Sequence, residues 1–159
     1  MKKMTLKAMA MVALPIMLIL ASAQIPASGQ AKAKRIVGTW RTQGTVINCQ
    51  NGAAIRTFLG LDVFTDSGSA LATGSSNPAL TSTGYGAWEH AGGRSFTNTL
   101  VAFRFNADGS YAGTQKITRQ IELDGSGDQF TSTNSLEIAD AAGNVIATAC
   151  STETGTRME

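Results

Sequence analysis

From Ile36 onward, apolar and polar residues alternate in short runs, and each run ends at Gly, Asn or Asp. The runs are residues 36–49, 54–64, 69–75, 85–90, 94–105, 110–123, 129–140 and 145 to about 153. Thr, Val, Ile and Phe fill them, Pro is nearly absent from them, and no long stretch holds a helical period. That composition and a period of two predict an all-β domain. Asn51-Gly52, Asp66-Ser67-Gly68, Gly92-Gly93, Asp108-Gly109, Asp124 to Asp128 and Gly143-Asn144 are the turn signals between runs,. The single long polar connection is 76–84, around Asn77-Pro78. Eight strands joined mostly by tight turns describe an up-and-down meander.

The two ends of the domain predict how the meander closes. Residue numbers in paired antiparallel strands add to a constant. Trp40 with Arg157 gives 197, and Cys49 with Cys150 gives 199. The sums differ by one side-chain repeat, so a single pairing of first strand with last brings both pairs together. The fold expected is an eight-stranded antiparallel up-and-down barrel, closed first strand to last. A β-sandwich is the alternative, because turn spacing alone does not separate the two.

Period-two geometry also assigns faces. The second run places Ile55, Leu59, Leu61 and Val63 on one side. In the sixth, Ile117, Ile121 and Leu123 share parity with Tyr111, Gln115 and Arg119. In the seventh, Phe130, Leu136 and Ile138 share parity with Ser132 and Asn134. Polar groups on an inner face must find partners, since each one left unpaired costs about 1–3 kcal/mol. Tyr111, Gln115, Arg119, Asn134 and Trp88 are therefore the candidate ligand-binding residues. The neighbouring inner faces show only neutral groups to Arg119, so an anionic head group is expected to supply its counter-charge.

The segment before the domain sets compartment and charge. Lys2, Lys3 and Lys7 precede an apolar run from Ala8 to Leu20, and Ala21-Ser22-Ala23 follows. This predicts a signal peptide over 1–23 and a flexible lead-in over 24–35, with the barrel domain over 36–159. A secreted or periplasmic location follows, with no membrane contact after cleavage. Two cysteines in such a chain predict a Cys49–Cys150 disulfide. The whole chain carries +2, but from Ile36 onward seven basic residues face eleven acidic ones, leaving −4. A mildly acidic domain without a basic cluster argues against nucleic acid as partner.

Other motifs lose to plainer readings. His90, the single histidine, adjoins Glu89 in one strand, and the two side chains point to opposite faces,. With one histidine and a disulfide, no zinc ligand set exists. The Asp124 to Asp128 oxygens have calcium-like spacing but read as a hairpin turn. There is no Gly-x-Ser-x-Gly elbow and no phosphate-cradling loop ending in Lys,. No cofactor and no catalytic residue is assigned.

Gly38-Thr39-Trp40 on the first strand, with Arg157 after the last, resembles the lipocalin (calycin) signature of small secreted bacterial barrels. Gly86-Ala87-Trp88 is similar to further motifs in such proteins. The resemblance implies that Trp40 plugs the closed end and that Arg157 packs across it, both as structural residues. No helix is recognisable after the last strand, unlike in larger lipocalins. The function expected is binding of a small amphipathic molecule in or at the mouth of the barrel. The alternatives are a small-barrel isomerase or cyclase of the allene oxide cyclase type, and a structural or interaction module with a filled core.

Overall fold

The computed structural model describes residues 36–159. The expected signal peptide and lead-in lie outside them. Eight strands follow one another: β1 (Gly38–Ile47), β2 (Ala54–Phe64), β3 (Ser69–Gly74), β4 (Gly84–Gly92), β5 (Ser95–Phe105), β6 (Tyr111–Leu123), β7 (Gln129–Ala139) and β8 (Val145–Arg157). Each pairs with its sequence neighbours, and β8 pairs back to β1, so the sheet is a closed antiparallel barrel. The seam register runs from Trp40 opposite Arg157 to Ile47 opposite Cys150. Cys49 and Cys150 are bonded across it, with Cα atoms 5.2 Å apart. The last strand therefore ends at Arg157, beyond the Glu153 boundary expected from its turn spacing.

One end of the barrel is filled. Ile36, Trp40, Phe64, Phe96, Leu123 and Phe130 are buried there in one cluster. Trp40 meets the edge of Phe130 at 5.1 Å between ring centroids, and its indole N–H donates to the Ile36 carbonyl at 2.8 Å. The Arg157 guanidinium lies 4.3 Å from the Trp40 ring centroid. Its N–H groups donate to the carbonyls of Val37 and Gly127, each at 2.8 Å. The arrangement satisfies the cation with backbone oxygens while its flat face covers the indole. Phe130 lies over Gly155, its opposite residue on β8, where any Cβ would fall inside the ring. Phe58 covers Gly44 in the same way toward the other end.

Arg157→Ala removes a cation–π contact worth about 0.5–2 kcal/mol and several hydrogen bonds. The expected loss is about 1–3 kcal/mol of unfolding free energy in a denaturant titration. The folded fraction should keep its affinity for anything bound at the opposite, open end. Unchanged stability with lost binding would contradict this assignment.

Ile55, Leu59, Leu61 and Val63 share one face of β2, as alternation places them, and it is the outward one. Ile55, Leu59 and Leu61 are 64%, 57% and 45% exposed, while Asp62 and Phe64 are 2% exposed each. The barrel faces inward through Phe58, Gly60, Asp62 and Phe64. Both faces of this strand carry large apolar groups, so alternation alone did not decide between them. The pairing with β1 decides it: Trp40 is opposite Asp62 and Thr42 opposite Gly60.

Candidate functional site

Above the aromatic plug, the inner wall turns polar. One row of opposed residues runs Asn98, Arg119, Asn134 and Ser151 across β5, β6, β7 and β8. Ser132 and Glu153 form the next pair on the plug side. All six are at most 7% exposed. Asp62 faces this belt from β2. Arg119 donates through its Nη1 to the Asp62 carboxylate, and the same nitrogen lies 3.4 Å from Glu153 Oε2. Asn134 donates to Ser151 Oγ at 3.0 Å, and Asn98 donates to the Ala87 carbonyl at 2.8 Å. The barrel floor is thus one guanidinium between two carboxylates, held by neutral hydrogen-bonding groups.

This overturns the expectation that Arg119 lacks an internal counter-charge. Asp62 and Glu153 supply it twice over. A buried ion is retained when opposite charges and hydrogen bonds offset its desolvation. Burial works against the Arg119 charge, yet Asp62 and Glu153 hold its pKa above the ordinary value. Asp62 moves the other way from a normal carboxylate. Burial first, and the nearby Glu153 charge next, raise it from 3.8 to about 6 against the pull of Arg119. The second carboxylate is therefore held at an electrostatic cost.

The belt floors a cavity of about 130 Å³ that opens at the end opposite the plug. Phe58, Ala72, Leu100, Ala102, Ile117 and Leu136 form its apolar wall, and Arg56, Ser76, Pro78 and Ser82 stand around the mouth. Gln115, Arg119 and Asn134 line it, together with Thr42, Asp62, Ser151 and Glu153. Four buried polar atoms among the described residues have no hydrogen-bond partner: Thr42 Oγ1, Asn98 Oδ1, Asn134 Oδ1 and Arg119 Nε. Three of those residues line the cavity; Asn98 does not.

Two candidates lie elsewhere. Tyr111 is 47% exposed and packs edge-on against Phe103, itself 55% exposed, at 6.1 Å. A bulge puts Gly113 opposite Arg104 and Tyr111 opposite Phe105, so one extra residue reverses the parity of Tyr111,. Trp88 packs edge-on against Phe96 at 5.8 Å and donates to the Thr65 carbonyl at 2.9 Å. It belongs to the plug and does not line the cavity. His90 is exposed beside Gly93, and Asp124 Oδ1 accepts the backbone N–H of Gly127 at 2.8 Å within its turn.

A larger concavity, about 690 Å³, lies on the outer wall and is lined by Thr45, Thr131, Thr133, Thr152 and Thr154 among others. Volume favours it, but chemistry favours the interior. The outer groove has hydroxyls already facing water, whereas the interior combines buried charge, unpaired polar atoms and an apolar wall.

No protein-family model matches this sequence, and no curated protein does. Among solved structures, the chain is similar to EF1p2_mFAP2b bound to DFHBI, with a TM-score of 0.54 and 20% identity. The match covers 81% of this chain and 98% of that one. At that identity the likeness shows a shared barrel fold.

Proposed function

We propose that this protein binds a small amphipathic molecule inside the open end of its barrel, and that it does so outside the cytoplasm. The observation that carries the reading is the cavity itself: an apolar wall above a buried, incompletely paired polar floor. A barrel built for stability alone gains by filling such space, because each buried polar group without a partner costs about 1–3 kcal/mol. A ligand that reaches the floor offsets that cost. EF1p2_mFAP2b holds DFHBI, which supports the reading as an example of a small molecule on a barrel of this outline. The Cys49–Cys150 disulfide supports an oxidising compartment.

The test uses 1-hexanol, whose body suits the cavity. Titration into isotope-labelled protein is expected to shift the methyl signals of Leu100, Ile117 and Leu136. Ala102, 7% exposed on the cavity wall, supplies the control. Ala102→Phe fills the space and should abolish those shifts while leaving the protein folded. Equal shifts in both proteins would place the alcohol on the outer surface and sink the reading.

A further inference from the structure

We propose that the molecule held in the barrel carries a cationic head, a primary ammonium, seated on the polar floor beside Asp62 and Glu153. The inference rests on the interior cavity being a binding site and adds the chemistry of what enters it.

Charge count is the first reason. The floor holds one guanidinium and two carboxylates, a net of one negative charge in ionised form. Among the described residues Arg56 is the other charged one lining the cavity, and it is exposed at the rim, where water screens it,. An ammonium brings the buried cluster to neutrality. A carboxylate would add a third negative charge beside two, with the Nη1 of Arg119 already facing both acids.

Hydrogen-bond supply is the second, independent reason. Asn134 Oδ1 and Thr42 Oγ1 are unpaired, their residues 7% and 1% exposed, and both residues line the cavity. Among the described residues the one unpaired N–H donor there is Arg119 Nε, and Thr42 can also donate its own hydroxyl proton,. With the carboxylate oxygens counted, the floor is still richer in acceptors than in donors,. An ammonium has three N–H donors and no acceptor, which is the complement of that floor. A hydroxyl supplies a single donor, and a carboxylate supplies none.

Size fixes the body. An engineered cavity of about 150 Å³ takes benzene, so about 130 Å³ takes a body of about six carbons. Phe58, Leu100, Ile117 and Leu136 then cover it.

The pair Asp62 and Glu153 makes the preference depend on pH. Arg119 on β6 and Glu153 on β8 are the charged groups in contact with the Asp62 environment. The flanking strands β1 and β3 oppose it with Trp40 and Ala72, both uncharged. Protonation of Asp62, whose pKa is about 6, cancels the net charge, so the ammonium should lose its advantage in acid.

The experiment titrates hexylammonium chloride, 1-hexanol and sodium hexanoate separately into the labelled protein at pH 7.5 and pH 5. At pH 7.5 hexylammonium is expected to bind about tenfold more tightly than hexanol, and hexanoate more weakly than either. At pH 5 the advantage over hexanol should shrink to about threefold or less. Asp62→Asn should remove the advantage of hexylammonium over hexanol at pH 7.5, read as the ratio of the two affinities in that variant. Should that variant not fold, Glu153→Gln and the two-pH comparison in the unaltered protein carry the test. Hexanol or hexanoate matching hexylammonium at pH 7.5 would overturn the cationic head and leave the cavity reading standing. No shift at the cavity methyls with any of the three probes would overturn both.

Discussion

Arg119→Met should cost about 3–5 kcal/mol of unfolding free energy at pH 7.5, because it leaves two buried carboxylates without their cation. Met preserves most of the volume and the apolar stem, so the loss reports charge and not a cavity. The acids cannot escape to water: Asp62 and Glu153 are 2% and 3% exposed. For a domain of this size the loss is a large share of a total of about 5–15 kcal/mol.

Its pH dependence has a definite sign. Asp62 is raised in the folded state, from 3.8 to about 6. The folded protein therefore binds more protons than the unfolded chain between those values. The stability this group contributes is fully present below 3.8 and is lost as pH rises through about 6. Removing Arg119 takes away the attraction that opposes burial, so the folded pKa climbs further and the loss extends to higher pH. The deficit of Arg119→Met against the unaltered protein should then be large at pH 7.5 and smaller at pH 5. Urea unfolding at both values measures it. A triple variant, Asp62→Asn with Arg119→Met and Glu153→Gln, removes all three charges and should recover part of the loss at pH 7.5. A deficit equal at the two pH values would mean that Arg119 is not held by titrating carboxylates.

The barrel and its seam were legible because they depend on features that recur with period two and on residues at the two ends of the chain. The β1–β8 register keeps the sum of 197 from Trp40–Arg157 to Ile47–Cys150, and the Cys49–Cys150 bond lies one side-chain repeat beyond it, at 199. The polar floor was half legible. Arg119 and Asn134 stand out because they interrupt apolar faces. Glu153 was within reach of the same argument: with Trp40 inward, Gly44 is inward, and the 197 register sets Gly44 opposite Glu153. Asp62 was harder. Its strand has Ile55, Leu59 and Leu61 on the outside, so the more apolar face is the solvent face and alternation points the wrong way. Tyr111 was misplaced for a local reason. Gly113 adopts φ 121°, and a Cβ there would come 2.0 Å from the Ala139 carbonyl oxygen. That backbone geometry makes the bulge, and nothing in the alternation of residues 110–123 announces it.

Replacing both cysteines, Cys49→Ala with Cys150→Ala, should lower stability by about 2–5 kcal/mol without changing the strand order. The bond joins residues 101 apart, and in the chain-entropy account a loop of about 100 residues is worth about 4.7 kcal/mol. Most of that effect lies in the unfolded chain, which the bond keeps from expanding. The folded barrel keeps its β1–β8 ladder from Trp40–Arg157 to Ile47–Cys150, so its apolar plug and its register survive. Consequences in the native state should be local. The bond ties the seam at the open end, where Val46 and Ser151 line the cavity and stand opposite each other. Its loss frees that edge to fray, so amide exchange should quicken at Val46, Ile47 and Ser151 while Trp40 and Phe130 stay protected. Thermal unfolding and hydrogen exchange on the double variant measure both parts. A protein of unchanged stability would show that the unfolded chain is already compact enough to make the cross-link redundant. Loss of protection at Trp40 would show instead that the disulfide holds the whole barrel closed.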